Sequence, residues 1–173
     1  MPNHTYNVIY NVNDFKRLKK LAVRKDKDGE LIFDFEKIIP MPKDLHIESR
    51  YAARIKGKDL TTVKTLLKKY KDPAMFAEMG HALFGLKYDY TDYMYIRNIQ
   101  YYGYSDWYHW SLAKWGTKWN SYDCEVGEDI ICFNTAWSRP DEIFEALVKM
   151  GFTFTTDWND EGDDDNILTK RWE

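Results

Sequence analysis

Strand-like and helix-like patterns of apolar residues follow each other at the start of the chain. Residues 4–12 mix β-branched and aromatic side chains with Asn, which is typical of a strand. Asn13 stands where a helix N-cap belongs, and residues 25–30 predict a turn with Gly29 in the left-handed conformation. Between them, apolar side chains recur at helical spacing at Phe15, Leu18, Leu21 and Ala22.

The last third of the chain repeats this order of elements. Residues 128–137 predict a buried strand, and Ser138 is the expected N-cap of an amphipathic helix that Gly151 ends. Residues 152–158 then predict a short strand. After an acidic loop over 157–166, the closing residues ILTKRWE are expected to form a last strand.

The middle of the chain has a different character. An extended segment over 31–45, interrupted by prolines, leads into a helical and aromatic-rich region at about 46–104. Here Asp59 is the expected cap of one helix, and Asp72 begins a second that ends near Gly85. These two helices predict a helical hairpin.

The order strand–helix–strand, inserted module, strand–helix–strand predicts an α+β fold. Helices would cover one face of an antiparallel sheet, and the ferredoxin-like split βαβ sandwich is the natural candidate. A length of 173 residues suits one domain. We therefore expect a single domain over 1–173 with its insertion at about 46–104.

Composition and charge favour a soluble cytoplasmic protein. Hydrophobic residues make up 44% of the chain and charged residues 31%, which is enough for a packed core under a solvated surface. The longest apolar runs are three or four residues, far too short to cross a membrane, and no signal peptide is recognisable. Cys124 and Cys132 have no metal-ligand spacing and are expected to be free thiols.

No motif in the sequence indicates catalysis, a metal or a cofactor. The spacing of Asp157, Asn159 and Glu161 before Gly162 is faintly similar to a calcium loop, but Leu168 stands where its bidentate Glu belongs. The histidines are scattered, and phosphate-binding and nucleophile-elbow motifs are missing. A non-enzymatic protein without a cofactor or metal is the expectation.

Four of the seven tryptophans lie in residues 106–120, DWYHWSLAKWGTKWN. Residues 106–114 predict a helix that Gly116 ends, and its wide aromatic face suits a thin α+β core. A core role is expected for Trp115, Trp119 and also Trp137. A binding role is expected nearer the insertion, at Trp107, Tyr108 and Trp110.

Several segments in order resemble the YubB-like ferredoxin-like domain family of phage, prophage and plasmid proteins. They are PNHTYN, DFEKIIPMPKDL, WYHWSLAKWGTKWNSYD, FNTAWSRP and DWNDEGDDDN. The resemblance implies a ferredoxin-like fold and a mobile-element setting, but no chemistry. It covers roughly 1–45 and 105–173, whereas the insertion lies where family members vary.

Two binding functions remain as interpretations of the sequence. The first is binding of a host protein, as an inhibitor of an antiviral system such as CRISPR–Cas. Its predicted contacts are aromatic residues and an acidic patch: Tyr93, Tyr95, Tyr101, Tyr104, Trp107, Tyr108, Asp160, Glu161, Asp163 and Asp164. The alternative is binding of single-stranded nucleic acid, through eight basic residues within 50–71 and the tyrosine-rich 88–108. The net charge of −3 speaks against that alternative.

Overall fold

The chain divides into two compact units, one inserted in the sequence of the other. The computed structural model describes residues 3–49, 65, 68–69, 71–72, 74–75, 78, 90–163 and 166–173. The first unit combines Met1–Met41 with Ser111–Glu173, and the second, called here the inserted unit, is Pro42–Trp110. No helix in the described part of the chain is long and apolar enough to cross a membrane.

Seven strands and four α-helices lie within the described residues. In chain order they are β1 His4–Tyr10, α1 Phe15–Ala22, β2 Val23–Lys25, β3 Leu31–Phe33, α2 Tyr90–Tyr102, α3 Trp107–Lys114, β4 Tyr122–Val126, β5 Ile131–Ala136, α4 Asp141–Lys149, β6 Phe154–Asp160 and β7 Leu168–Trp172. The segment predicted as extended over 31–45 begins with β3 and also contains two short 3-10 helices, Phe35–Lys37 and Lys43–Leu45.

The sheet of the first unit has the strand order β4-β5-β1-β6-β7, and every neighbouring pair is antiparallel. Taken in chain order, β1, α1, β4, β5, α4 and β6 form the split βαβ arrangement of a ferredoxin-like fold. The α+β prediction is therefore confirmed. Strand β7 extends the sheet at one edge, and β2 with β3 forms a separate two-stranded hairpin.

One face of this sheet carries the core. Along β1 the side chains alternate, with Thr5, Asn7 and Ile9 buried and Tyr6 exposed. Strand β5 continues the buried face with Phe133, whose ring stacks on Phe33 at 5.1 Å between centroids. The other buried rings of the core include Phe35, Trp115, Phe144, Phe152, Phe154 and Trp172.

Both predicted helix caps at the sheet are wrong, the first by one residue and the second by two. Asp14, not Asn13, caps α1, and its carboxylate accepts a hydrogen bond from the Arg17 N–H at 3.0 Å. The Asn13 side-chain amide instead donates a hydrogen bond to the Gly151 carbonyl. Helix α4 begins at Asp141 after Pro140. The Ser138 hydroxyl donates to the Gly116 carbonyl at 2.5 Å, so it joins two loops instead of capping a helix.

Three element predictions also differ from the structure. The predicted acidic loop over 157–166 is strand β6 up to Asp160, followed by a turn that includes Gly162. Strand β4 was not predicted, and helix α2 was not predicted as an element of its own within the helical, aromatic-rich region at about 46–104. The two helices expected between Asp59 and Gly85 fall mostly outside the described residues.

Candidate binding surfaces

Helix α2 buries two of the tyrosines predicted to contact a partner. Tyr93 and Tyr95 are 6% and 4% exposed. The Tyr93 hydroxyl donates to the Lys71 carbonyl at 2.9 Å, and the Tyr95 hydroxyl donates to the Glu48 carbonyl. Both side chains are thus part of the interior of the inserted unit, where each hydroxyl donates to a backbone carbonyl.

The remaining predicted aromatic contacts are more accessible. Tyr101 is 68% exposed, whereas Tyr104, Trp107 and Tyr108 are half-buried. Trp107 and Tyr108 pack edge to face, with ring centroids 5.8 Å apart. Trp110, for which we also expected a binding role, is buried.

Asp44 fixes the C-terminal part of α2. Its carboxylate accepts hydrogen bonds from Arg97 at 2.8 Å and from the Tyr102 hydroxyl at 3.0 Å. These two hydrogen bonds lower the pKa of Asp44, so it is charged at neutral pH. The Asn98 amide donates to the Asp44 carbonyl at 2.8 Å and to the Ser105 carbonyl at 3.1 Å. A single acidic residue thereby holds one helix face in place.

A pocket of about 260 Å³ opens beside this helix. Its lining combines basic, amide and tyrosine side chains: Lys68, Lys71, Tyr93, Arg97, Gln100 and Tyr101. The Arg97 guanidinium carbon lies 5.4 Å from the centre of the Tyr101 ring, within reach of a cation–π contact. Basic residues and an exposed aromatic ring thus meet at one place in the inserted unit.

Buried Asp106 explains the local environment of His109. The Asp106 carboxylate accepts from the backbone N–H groups of Tyr108 and His109 at 3.0 and 3.2 Å, which caps α3. It also lies 3.0 Å from His109 Nδ1.

Burial raises the pKa of the Cys124 thiol to about 12, so this cysteine is protonated at neutral pH and is a poor nucleophile.

In the first unit, the loops after α3 and β5 form a cation–π cluster. The Lys118 ammonium lies 4.3 Å from the Trp119 ring and 4.5 Å from the Trp137 ring. Gly116 begins the first loop with a φ of +77°, as expected for a residue that ends a helix. A Cβ there would meet the Glu142 carboxylate of α4 and would lie 3.3 Å from the Arg139 carbonyl, so the first loop packs closely against the second loop and the start of α4.

Trp137 has the least expected environment in this cluster. We predicted a core role, but its side chain is 43% exposed, so that prediction is wrong. Its φ is +75°, in the left-handed region where a bulky residue is strained. Its backbone N–H donates to the Asn3 carbonyl at 2.9 Å, which fixes the turn at the end of β5. No local signal in the sequence indicates this conformation, which Gly or Asn would adopt more readily.

Arg139 lies close to the same loops. Its guanidinium carbon is 3.6 Å from the centre of the Trp158 ring, and its Nη2 donates to Asp141 at 2.7 Å. Its Nη1 is buried and has no partner among the described residues.

The predicted core position of Trp115 is confirmed, since it is 4% exposed and its indole N–H donates to the Ile39 carbonyl at 2.9 Å. Trp119 is half-buried.

The predicted acidic patch serves partly to fasten β6 to β1. Asp160 accepts from the Thr5 hydroxyl at 2.7 Å, and Glu161 accepts from the His4 backbone N–H at 3.0 Å. Asp163 is exposed and accepts from the Asn166 amide, whereas Asp164 lies outside the described residues. In the described part of the chain, no three His, Cys, Asp or Glu side chains cluster as metal ligands would.

Comparison with known proteins supports the fold class. The profile of the ferredoxin-like domain in Api92-like protein matches residues 114–167, a segment that runs from the end of α3 into the turn after β6. This segment includes the cation–π cluster but covers less than a third of the chain. The search of curated proteins and the search of solved structures gave no match. Together with the strand order, the match defines a ferredoxin-like α+β protein.

Proposed function

We propose that this protein acts without catalysis, by binding a host protein through the surface around Trp137. The observation that supports this proposal is the conformation of Trp137 itself. A left-handed backbone costs a residue other than glycine about 1–2 kcal/mol, and the indole it carries remains 43% exposed. Local strain at a surface aromatic is typical of a binding site, where the side chain must be presented in one orientation.

The neighbouring side chains suit a protein partner. Trp, Tyr and Arg dominate the binding energy of protein interfaces, and a rigid aromatic anchor loses little entropy on binding. Here Lys118 lies within cation–π distance of both Trp119 and Trp137. The proposed additional contacts in the inserted unit are Tyr101, Tyr104, Trp107 and Tyr108. Those in the first unit are the residues of the predicted acidic patch, Asp160, Glu161, Asp163 and Asp164.

The proposed biological role comes from resemblance. The segments that resemble those of YubB-like proteins support our proposal that a phage, prophage or plasmid encodes the chain. Small non-catalytic proteins of such elements often disarm host defences. We therefore propose inhibition of an antiviral system in the host cytoplasm, with CRISPR–Cas as one example. This step rests on analogy, since one fold hosts many functions.

The test is a pull-down from lysate of the bacterial host with the tagged full chain, with and without nuclease. Wild type is compared with Trp137→Ala and with Ile167→Ala, a control that truncates another exposed apolar side chain. We expect one stoichiometric host protein that resists nuclease, is absent with Trp137→Ala and is retained with Ile167→Ala. Equal capture by all three chains would refute the role of Trp137.

The alternative function, binding of single-stranded nucleic acid, draws support from the basic pocket beside Tyr101. In the same pull-down it predicts recovery of nucleic acid and the disappearance of all protein partners after nuclease treatment. That outcome would replace the inhibitor proposal with the alternative.

A further inference from the structure

One face of α2 builds the pocket of the inserted unit. Arg97, Gln100 and Tyr101 follow Tyr93 by four, seven and eight residues, so all four side chains lie on the same side of the helix. Lys68 and Lys71 complete the lining. The Tyr93 hydroxyl donates to the Lys71 carbonyl at 2.9 Å and so connects Lys71 to the helix.

The lining carries a net positive charge. Arg97 is paired with Asp44 at 2.8 Å, and the lowered pKa of Asp44 keeps this pair ionised and nearly neutral in sum. Lys68 and Lys71 are both exposed. Their two positive charges are not balanced by the Arg97–Asp44 pair, so they give the lining its net positive charge. Two ammonium groups beside a small cavity favour an anion of the size of a phosphate.

An aromatic ring is available next to these charges. Tyr101 lines the pocket while 68% of its surface stays exposed, and Arg97 lies against its ring. Exposed aromatic rings beside basic groups stack on nucleobases while lysines contact the phosphates. The Gln100 amide can donate or accept a hydrogen bond at the same place.

The geometry points to this pocket as a binding site for a nucleotide phosphate, with the base stacked on Tyr101. The volume of about 260 Å³ is smaller than that of pockets for drug-sized ligands. It therefore suits a phosphate and part of its sugar. A free nucleotide and a single-stranded nucleic acid share this chemistry. The inference rests on the alternative function above and gives that alternative a site.

The test measures fluorescence anisotropy of a labelled oligothymidine of about 15 nucleotides, titrated with the full chain over a range of salt concentrations. The variants are the double substitution Lys68→Gln with Lys71→Gln, the single substitution Tyr101→Leu, and Lys43→Gln as a control. Lys43 is an exposed lysine of the same unit that does not line the pocket. Unlabelled oligothymidine and AMP serve as competitors, and AMP binding is also measured directly by calorimetry.

Each substitution has its own expected signature. The double lysine substitution should weaken binding and reduce the slope of log K against log salt by about 0.7 for each phosphate that is no longer neutralised. Tyr101→Leu should weaken binding roughly tenfold with the salt slope unchanged, because it removes stacking and no charge. Lys43→Gln should leave both affinity and slope close to wild type.

The competitors separate the two sources of the ligand. Direct binding of AMP that depends on the two lysines would assign a free nucleotide, and competition by oligothymidine alone would assign a single strand. The inference is overturned when neither ligand binds, or when the pocket variants bind as tightly as Lys43→Gln. Trp137 does not line this pocket. The pull-down tests the role of Trp137 separately, so failure here leaves the proposed function untouched.

Discussion

Trp115 and Trp137 are expected to respond differently to the same substitution. Trp115 is almost fully buried, its ring packs edge to face with Phe35 at 5.8 Å, and its indole N–H donates to Ile39. Trp115→Ala should therefore lower the free energy of unfolding by about 3–5 kcal/mol. This change is a large part of the typical stability of a domain, about 5–15 kcal/mol.

At Trp137 the conformation of the backbone changes the expected order of variants. Ala keeps the Cβ atom and therefore the strain of a φ of +75°, whereas Gly adopts this φ freely. Trp137→Gly should therefore be more stable than Trp137→Ala, by about 1 kcal/mol. Neither variant keeps the cation–π interaction with Lys118, which contributes about 0.5–1 kcal/mol at an exposed site.

The assay is urea unfolding at room temperature, followed by far-UV circular dichroism because tryptophan fluorescence differs between the variants. Glu145, exposed in α4, supplies the control pair: there the Ala variant should be more stable than the Gly variant by about 1 kcal/mol. The reasoning is refuted if Trp137 shows the same order as Glu145. It is equally refuted if Trp115→Ala is as mild as Trp137→Ala.

Two further predictions concern the close loops and the thiols. Gly116→Ala should destabilise more than Gly29→Ala, since both have positive φ but only a Cβ at Gly116 meets neighbours. The Glu142 carboxylate can rotate away from that Cβ, whereas the Arg139 backbone carbonyl, 3.3 Å from it, cannot. Urea unfolding of both variants measures the difference, and equal effects would contradict the close packing. In native protein at pH 8, Cys132 should react with a thiol reagent well before Cys124, whose pKa of about 12 leaves about one thiolate in ten thousand. Denaturation should make both cysteines react at similar rates. The free energy of unfolding should also depend on pH. It should fall as the pH rises above 9.0, the ordinary pKa of a thiol, because unfolding then releases a proton from Cys124.

Local patterns predicted the elements whose side chains alternate or recur cleanly. The strand at β1, the helix end at Gly116 and the buried position of Trp115 follow from such patterns. Helix α2 was not recognised in the sequence because tyrosine favours strands over helices. In the structure, hydrogen bonds to residues distant in sequence override that preference. Its Tyr93 hydroxyl, for example, bonds a carbonyl 22 residues earlier.

The candidate sites depended even more on contacts that are distant in sequence. Trp137 and Trp115 are the same residue type in similarly apolar segments, yet only one is covered by other elements of the fold. Tyr93 and Tyr101 lie on one helix, and nothing in their spacing tells which one is buried. Exposure is a property of the packed chain, so the sequence alone could indicate an aromatic surface without identifying its members.

The position of β1 has a consequence during protein synthesis. This strand is made well before its two neighbours in the sheet, β5 and β6, which lie at Ile131–Ala136 and Phe154–Asp160. At about 5–20 residues per second, the ribosome takes on the order of ten seconds to reach them. The nascent β1 meanwhile exposes Ile9 and its unpaired backbone, which is a target for chaperones and a risk for aggregation. A nonsense mutation between β5 and β6 would leave this strand permanently without one partner, and one before β5 would leave it without both.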